Sequence, residues 1–151
     1  MMAGTIYDQL VDTLKNNPTL SGYVKQVFKG MRYNIEPDSM PCIMLDVSGN
    51  FVTELDTNDF KRIYLKVELA AFVSIQDPEY AIVGDNTKGH IGMLDFENDI
   101  RACLQASYSL GNRVYDIKMD ETDFREIEFK GIMSRAFHIP LRILYSQLNS
   151  V

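Results

Sequence analysis

Histidine is the side chain that proteins use most often for proton transfer and metal binding, and this chain of 151 residues contains two. His90 lies near the predicted start of a helix, and His138 lies on the outer face of a predicted strand. Neither belongs to an HExxH, HxxxH or HxH pattern, which would bring two imidazoles to one side of a helix or strand. We therefore interpret both as surface or capping residues and expect no metal site.

A second candidate for chemistry is the glycine-containing segment before the second predicted helix. Gly84 and Gly89 are separated by four residues, which is the gap of a phosphate-binding loop. That motif continues with Lys and then Ser or Thr, because an ammonium and a hydroxyl must reach phosphate and magnesium. Here His90 and Ile91 follow instead. The segment therefore predicts a turn and a helix start, and no nucleotide is expected.

Six carboxylates cluster between Asp116 and Glu128, where paired acids could transfer protons or bind a cation. A calcium-binding loop has regularly spaced acids and a glycine at its sharp turn, and this segment lacks that pattern. Residues 120–123 instead predict a solvated hairpin connection whose charges protect a sheet edge from unwanted pairing. A small enzyme with a site assembled from distant carboxylates, such as Glu68 and Glu126, remains an alternative.

The nucleophilic side chains also lack catalytic signatures. No serine lies in a GxSxG sequence. Cys42 and Cys103 form no CxxC pair and are too few for a disulfide framework, so we interpret them as buried free thiols in a reducing compartment. The chain is therefore predicted to have no catalytic residue, no cofactor and no enzymatic activity.

Composition places the chain among ordinary globular proteins. Hydrophobic residues make up 46% and charged residues 24%, and the formal net charge is −6. A general nucleic-acid-binding domain is usually basic, so sequence-independent DNA binding is not expected. The longest apolar run, residues 69–73, is far shorter than the roughly 20 residues of a membrane-spanning helix. The N-terminus has no secretory pattern. We expect one domain, residues 1–151, away from membranes.

Hydrophobic periodicity predicts two helices. Residues 5–16 carry an apolar stripe at every fourth position, and residues 90–106 bury a face that contains Phe96 and Ile100. The segment 20–31 is ambiguous and could be one helical turn followed by a short strand around Val27 and Phe28. One turn is expected at Gly49 and Asn50, and another at residues 56–59.

The predicted strands alternate apolar and polar residues. Residues 43–47, 62–73, 114–119, 124–129 and 137–145 all follow this pattern. Pro140 lacks a ladder donor, which indicates an edge or a bulge. The sequence thus predicts an α+β single domain with a mainly antiparallel or mixed β-sheet and two helices packed on one face. Leu65, Val67 and Leu69 are expected to lie under the helix that carries Phe96.

The connection formed by residues 76–88 is long for a compact domain, and such loops are usually functional. It is mostly polar but carries an apolar patch at Tyr80, Ile82 and Val83. Apolar side chains in a long loop cannot all reach their own core, and exposed apolar patches mark contacts. We therefore predict an interface at these three residues. The alternative is that the loop folds back on its own domain.

The order of these elements resembles a known family. A short helix with the stripe Ile6, Leu10 and Leu14 precedes the proline-bounded strand PCIML (residues 41–45) and the alternating strand RIYLKVEL (62–69). The helix MLDFENDIRACL (93–104) and the late strand RAFHIPLRI (135–143) follow. In this order and texture, nearly the whole chain resembles the tail terminator, or tail-completion, proteins of tailed bacteriophages.

The resemblance implies a structural role in the virion. Such proteins form a ring, usually hexameric, that caps the head-proximal end of the tail tube, ends its polymerisation and joins the tail to the head connector. The implied partners are other copies of the chain, the tube protein and a connector or neck protein. DNA passes through the lumen without specific binding. Assembly takes place in the host cytoplasm, and no membrane is involved.

A ring subunit needs two different complementary surfaces, because head-to-tail contacts close only when one patch meets another. The loop with Tyr80, Ile82 and Val83 is expected to supply one. The predicted hairpin is expected to supply the other, or to contact the tube, through Asp120, Glu121, Asp123 and Phe124. The alternatives are another neck or head–tail joining protein, a small enzyme, or an adaptor.

Overall fold

The computed structural model describes residues 2–55, 60–74, 78–85, 90–129 and 131–148. In these residues a six-stranded sheet is accompanied by three α-helices and by two 3-10 turns, Leu20–Gly22 and Pro37–Ser39. The elements in chain order are α1 (Met2–Asn16), β1 (Gln26–Lys29), β2 (Cys42–Leu55), β3 (Phe60–Ser74), α2 (Pro78–Val83), α3 (Met93–Ala106), β4 (Asp116–Met119), β5 (Asp123–Phe129) and β6 (Ile132–Leu148). The α+β prediction is confirmed.

The sheet is mixed, with the order β1-β2-β3-β6-β4, and β5 also pairs with β6. β1 runs parallel to β2, and the other pairs are antiparallel. Alternation along β3 divides the sheet into two faces. We call the face with Leu65, Val67 and Leu69 the inner face, and the face with Tyr64 and Lys66 the outer face.

The inner face forms the main core, as the periodicity predicted. Leu65, Val67 and Leu69 are buried in one cluster with Phe96 and Ile100 of α3. The same cluster contains the predicted stripe of α1, Ile6, Leu10 and Leu14, and the inner positions of β6, Phe137, Ile139, Leu141, Ile143 and Tyr145. The two long helices therefore cover the face on which the apolar positions of the strands coincide.

A second, smaller core lies on the outer face at one end of the sheet. Cys42 and Met44 of β2 are buried there beside Phe72 of β3, and Ile35 and Met40 from the loop after β1 pack in the same cluster. The sequence placed Phe72 on the non-core side of its strand. At this end the outer positions of three neighbouring strands are apolar, so the loop gains burial by covering them.

The turn expected at Gly49 is absent. β2 continues through this residue to Leu55, and its register against β3 shifts between Val47 and Gly49. Such a bulge takes up one extra residue without ending the strand. The turn predicted at residues 56–59 lies outside the described residues. The ambiguous segment 20–31 contains both of its expected elements, a 3-10 turn and the short strand β1.

The hairpin predicted at residues 120–123 is wrong. β4 and β5 do not pair with each other, because both pair with β6 and follow one another along the same side of it. Met119 lies opposite Leu141 and Asp123 opposite His138, so the connection has one more residue than the facing segment of β6. This bulge lies opposite Pro140, whose carbonyl accepts the Asp120 N–H at 2.9 Å.

Pro140 thus marks a bulge, as expected, but β6 has neighbours on both sides and is not an edge strand. The real hairpin joins β5 to β6 beside Gly131, whose φ of +80° is a left-handed conformation that glycine adopts without strain. Tyr115, which the alternation of residues 114–119 places on one face with Ile117 and Met119, is exposed, whereas Ile117 is buried. β4 begins at Asp116, so Tyr115 precedes the regular alternation.

The segment 76–88 is also more ordered than the sequence predicted, because it contains the helix α2. Within this segment, residues 76–77 and 86–88 lie outside the described residues. The structure therefore has a third helix where the sequence predicted a loop. Pro78 opens this helix, which suits a residue that has no N–H to donate.

Candidate functional site

The three apolar residues predicted as an interface differ in exposure on α2. Ile82 is partly buried and packs against the inner core. Tyr80 is half-buried and lines a cleft, and Ala81 between them is buried. Val83 alone among the three is an exposed large apolar side chain, at 55%. The segment thus folds back on its own domain through two of the residues and presents the third.

Two glycines bring the end of α2 against the start of α3. A Cβ on Gly92 would lie 2.3 Å from the Gly84 nitrogen and 2.5 Å from the Ile82 carbonyl oxygen, which is far inside van der Waals contact. Gly84 has a φ of +82° and donates its N–H to the Tyr80 carbonyl at 2.8 Å. Only residues without a side chain permit this approach, and it fixes the position of Val83.

Leu94 is an exposed apolar residue that the sequence did not single out. It lies in the first turn of α3, two residues after Gly92, and is 48% exposed. The sequence contains a signal for its exposure, because Leu94 is apolar but lies outside the buried stripe of α3 that begins with Met93 and Phe96. We call Val83 and Leu94, which flank the glycine contact, the α2–α3 surface.

The second predicted interface, at the β4–β5 junction, is anchored to α3 by one arginine. The Arg101 Nη2 donates to the Asp120 carbonyl at 2.8 Å and to the Thr122 hydroxyl at 2.6 Å. Thr122 donates in turn to Glu97 Oε1 at 2.8 Å, and Glu97 also pairs with Arg101. The junction is therefore a fixed platform.

The four predicted side chains of this junction have different surroundings. Asp120 pairs with Arg142 at 2.9 Å, and Asp123 pairs with Arg125. Glu121 is exposed. Phe124 is 38% exposed, with its ring centroid 5.9 Å from that of Phe137. Phe124 and Glu121 are therefore the members most available to a partner, whereas the carboxylates of Asp120 and Asp123 are engaged internally.

A serine, a glutamate and a histidine meet on the outer face, but in an order unsuited to nucleophilic catalysis. The Ser48 hydroxyl donates to Glu68 Oε1 at 2.9 Å, and Glu68 Oε2 contacts His138 Nε2. A catalytic triad requires the imidazole between the hydroxyl and the carboxylate, so that it can remove the hydroxyl proton. Here the carboxylate occupies the middle, so the serine lacks the adjacent imidazole of such a triad.

The distant carboxylates of the enzyme alternative are not brought together. Glu68 lies opposite Pro140 on the outer face of the sheet. Glu126 lies opposite Arg135, a position of β6 that belongs to the inner face. Glu126 accepts from Arg135 Nη1 at 2.8 Å. Because the two carboxylates point to opposite faces of the sheet, they cannot act on one substrate atom.

The thiols and the open cleft beside α2 offer little reactivity. Burial raises the pKa of Cys42 to about 12 and also raises the pKa of Cys103, so neither forms a thiolate nucleophile near neutral pH. An open cleft of about 500 Å³ lies between the Leu20–Gly22 turn, Asp38 and α2. Its wall includes Tyr23, whose pKa is raised by burial and then by its hydrogen bond to Asp99.

The described part of the chain contains no group of three or more His, Cys, Asp or Glu residues arranged to hold a metal ion. In the same residues, no helix is long and apolar enough to cross a membrane. No protein-family model and no curated protein matches this chain.

Proposed function

We propose that this chain is a virion protein of a tailed bacteriophage, a subunit of the ring that caps the tail tube, ends its polymerisation and joins the tail to the head connector. The observation that carries the proposal is the α2–α3 surface. Val83 and Leu94 are exposed apolar residues on adjoining helix ends, and the glycine contact holds them in place. Fixed, exposed apolar side chains on a globular protein typically mark contacts.

Two kinds of surface are available for closing a ring. The α2–α3 surface is apolar, whereas the β4–β5 junction combines Phe124 with the exposed charge of Glu121. A head-to-tail contact requires two different patches on each subunit. The acidic net charge of −6 suits a lumen through which DNA slides, because such a surface does not retain phosphates.

The test is native mass spectrometry and negative-stain imaging of the purified protein, with and without the tail-tube protein of the same genome. We expect a large discrete ring, most simply a hexamer, that binds one end of the tubes and stops their growth. The variant Val83→Ser/Leu94→Ser should fold normally and lose the ring. Tyr80 and Ile82 are left unchanged because both are partly buried.

A wild-type protein that never forms a ring contradicts the proposal. A ring that binds the head connector but ignores the tube assigns the chain to another neck or head–tail joining role. A matched control is Tyr108→Ser in the otherwise wild-type chain, which removes a 55% exposed ring just beyond the opposite end of α3. If the control and the double variant assemble equally well, the α2–α3 surface is not the contact.

A further inference from the structure

The outer face of the sheet has two neighbouring rows of like charge. In the first row, Lys66 of β3 and Lys118 of β4 lie on either side of Arg142 of β6, directly opposite it in the register. In the next row, Asp46 of β2 lies directly opposite Glu68 of β3. We call the first set the basic row.

Asp120 continues the second row. Its N–H bonds to the carbonyl of Pro140, the residue opposite Glu68, and its carboxylate pairs with Arg142 at 2.9 Å. We call Asp46, Glu68 and Asp120 the acidic row. The two rows are two residues apart along the strands, so they cross the same face side by side.

Like charges directly opposite one another destabilise a sheet, and this face repeats that arrangement in both rows. Lys66, Lys118 and Asp46 are exposed. Among the described residues, neither lysine forms an ion pair. The Lys118 Nζ and the Arg142 Cζ each lie 5.9 Å from the ring centroid of Tyr64. Two positive charges of the basic row are therefore held around one ring. The face thus has charge available for an outside partner.

The alternation of sign decides what kind of partner fits. DNA is a uniform polyanion, and its phosphates would meet the acidic row immediately beside the basic one. A protein surface with both signs can match both rows. Two parallel rows of opposite sign are also complementary to themselves, because a two-fold axis between the rows exchanges them.

We propose that the outer face binds the outer face of a second copy of this chain across such a two-fold axis. The basic row of each copy then lies over the acidic row of the other, in the face-to-face manner of aligned sheets. The contact also covers Phe51, which is 45% exposed and packs on Tyr64 with ring centroids 5.7 Å apart. Apart from Asp120, which also lies in the β4–β5 junction, its residues are not those of the proposed ring contacts, and in a ring-forming protein it joins two rings.

Paired charge variants test the geometry. Lys66→Glu/Lys118→Glu makes both rows acidic, and Asp46→Lys/Glu68→Lys makes both rows basic. Each variant alone should lose self-association, with the Kd raised about tenfold or more. An equimolar mixture should restore a one-to-one complex, because the acidic face of one now meets the basic face of the other. Native mass and sedimentation velocity measure both effects.

The control variant is Lys15→Glu/Arg113→Glu, which makes the same charge change at two exposed sites outside the rows. It should associate like the wild type, and cooperative melting of every variant checks the fold. Association of the wild type should weaken between about 50 and 500 mM salt, since exposed charge pairs are screened.

The outcomes separate this proposal from the ring. Twice the mass of one ring supports both, a plain dimer supports the two-fold contact alone, and a single ring supports the ring alone. Self-association that survives either charge variant, or a mixture that fails to associate, overturns the two-fold contact. A wild-type monomer that binds double-stranded DNA through Lys66 and Lys118 also overturns it and assigns the rows to DNA.

Discussion

The close approach of Gly92 to the end of α2 predicts a large effect from adding one methyl group. In Gly92→Ala the new Cβ would lie 2.3 Å from the Gly84 nitrogen, 2.5 Å from the Ile82 oxygen and 2.5 Å from the Val83 carbonyl carbon. All three are backbone atoms, so no side-chain rotation relieves the overlap. Restoring ordinary contact requires the two segments to separate by about 1 Å, which opens the packing between α2 and α3.

Overpacking of this kind costs up to about 3 kcal/mol, which corresponds to a fall in Tm of about 6–12 °C for a chain of this size. Thermal melting followed by circular dichroism measures the change. Gly22→Ala is the matched control, because its Cβ would meet nothing within 4 Å. Below its Tm, Gly92→Ala should also weaken the oligomer, since the separation displaces Val83.

Gly84→Ala should be intermediate. Its Cβ contacts are longer, at 2.9 Å, but its φ of +82° costs a side-chain-bearing residue about 1–2 kcal/mol. If Gly92→Ala melts within about 1 °C of the Gly22→Ala control, then α2 is not held against the start of α3, and the description of the α2–α3 surface is wrong.

Three further predictions concern the core, the buried thiol and the β4–β5 junction. Val67→Asp places an unpaired charge in the core and should abolish soluble folding, a cost above about 4 kcal/mol. The control Val47→Asp, at a 46% exposed position, should fold. A cooperatively melting Val67→Asp protein contradicts the sheet assignment. Because burial raises the pKa of Cys42 from 9.0 to about 12, the thiol ionises first in the unfolded chain. Its contribution to stability is complete below pH 9 and falls by about 1.4 kcal/mol per pH unit between pH 9 and 12. In urea unfolding from pH 8 to 11, the free energy of unfolding should therefore decrease with pH, and Cys42→Ala should reduce this slope. Equal slopes for the two proteins refute the assignment. Arg101→Met should destabilise the protein by about 1–2 kcal/mol and speed amide exchange around Thr122, while unchanged exchange means that the junction is held by its strand pairing alone.

Much of the fold was predictable because it depends on local periodicity. The period of two in β3 and β6 and the stripe of α1 identified the inner core, and the structure buries Val67, Phe137 and Leu10 there. A period is a property of neighbouring residues, so it can be read from the chain without knowing which elements meet. The bulge at Pro140 was predictable for the same reason, since a missing N–H is a local fact.

The candidate sites were predicted only in part. The exposure of Val83 agreed with the expected interface, but Tyr80 and Ile82 turn toward their own domain. Six residues of α2 are too few to show a clear helical period. The composition of the acidic segment 120–123 is that of a turn, so it predicted a hairpin connection. The pairing depends instead on the length of β6, which is long enough to pair with both β4 and β5.

The sequence by itself determined the fold class, the main core and the acidic surface, because each follows from composition and from spacing along the chain. Tertiary structure alone decided which residues of different strands lie opposite one another. Lys66, Lys118 and Arg142 are far apart in sequence, and only the register of three strands makes them one row. Register depends on bulges and on long-range pairing, and a shift of one residue would move each side chain to the other face. The charge pattern of the outer face is therefore a property of the assembled sheet, and so is the complementarity on which the proposed two-fold contact depends.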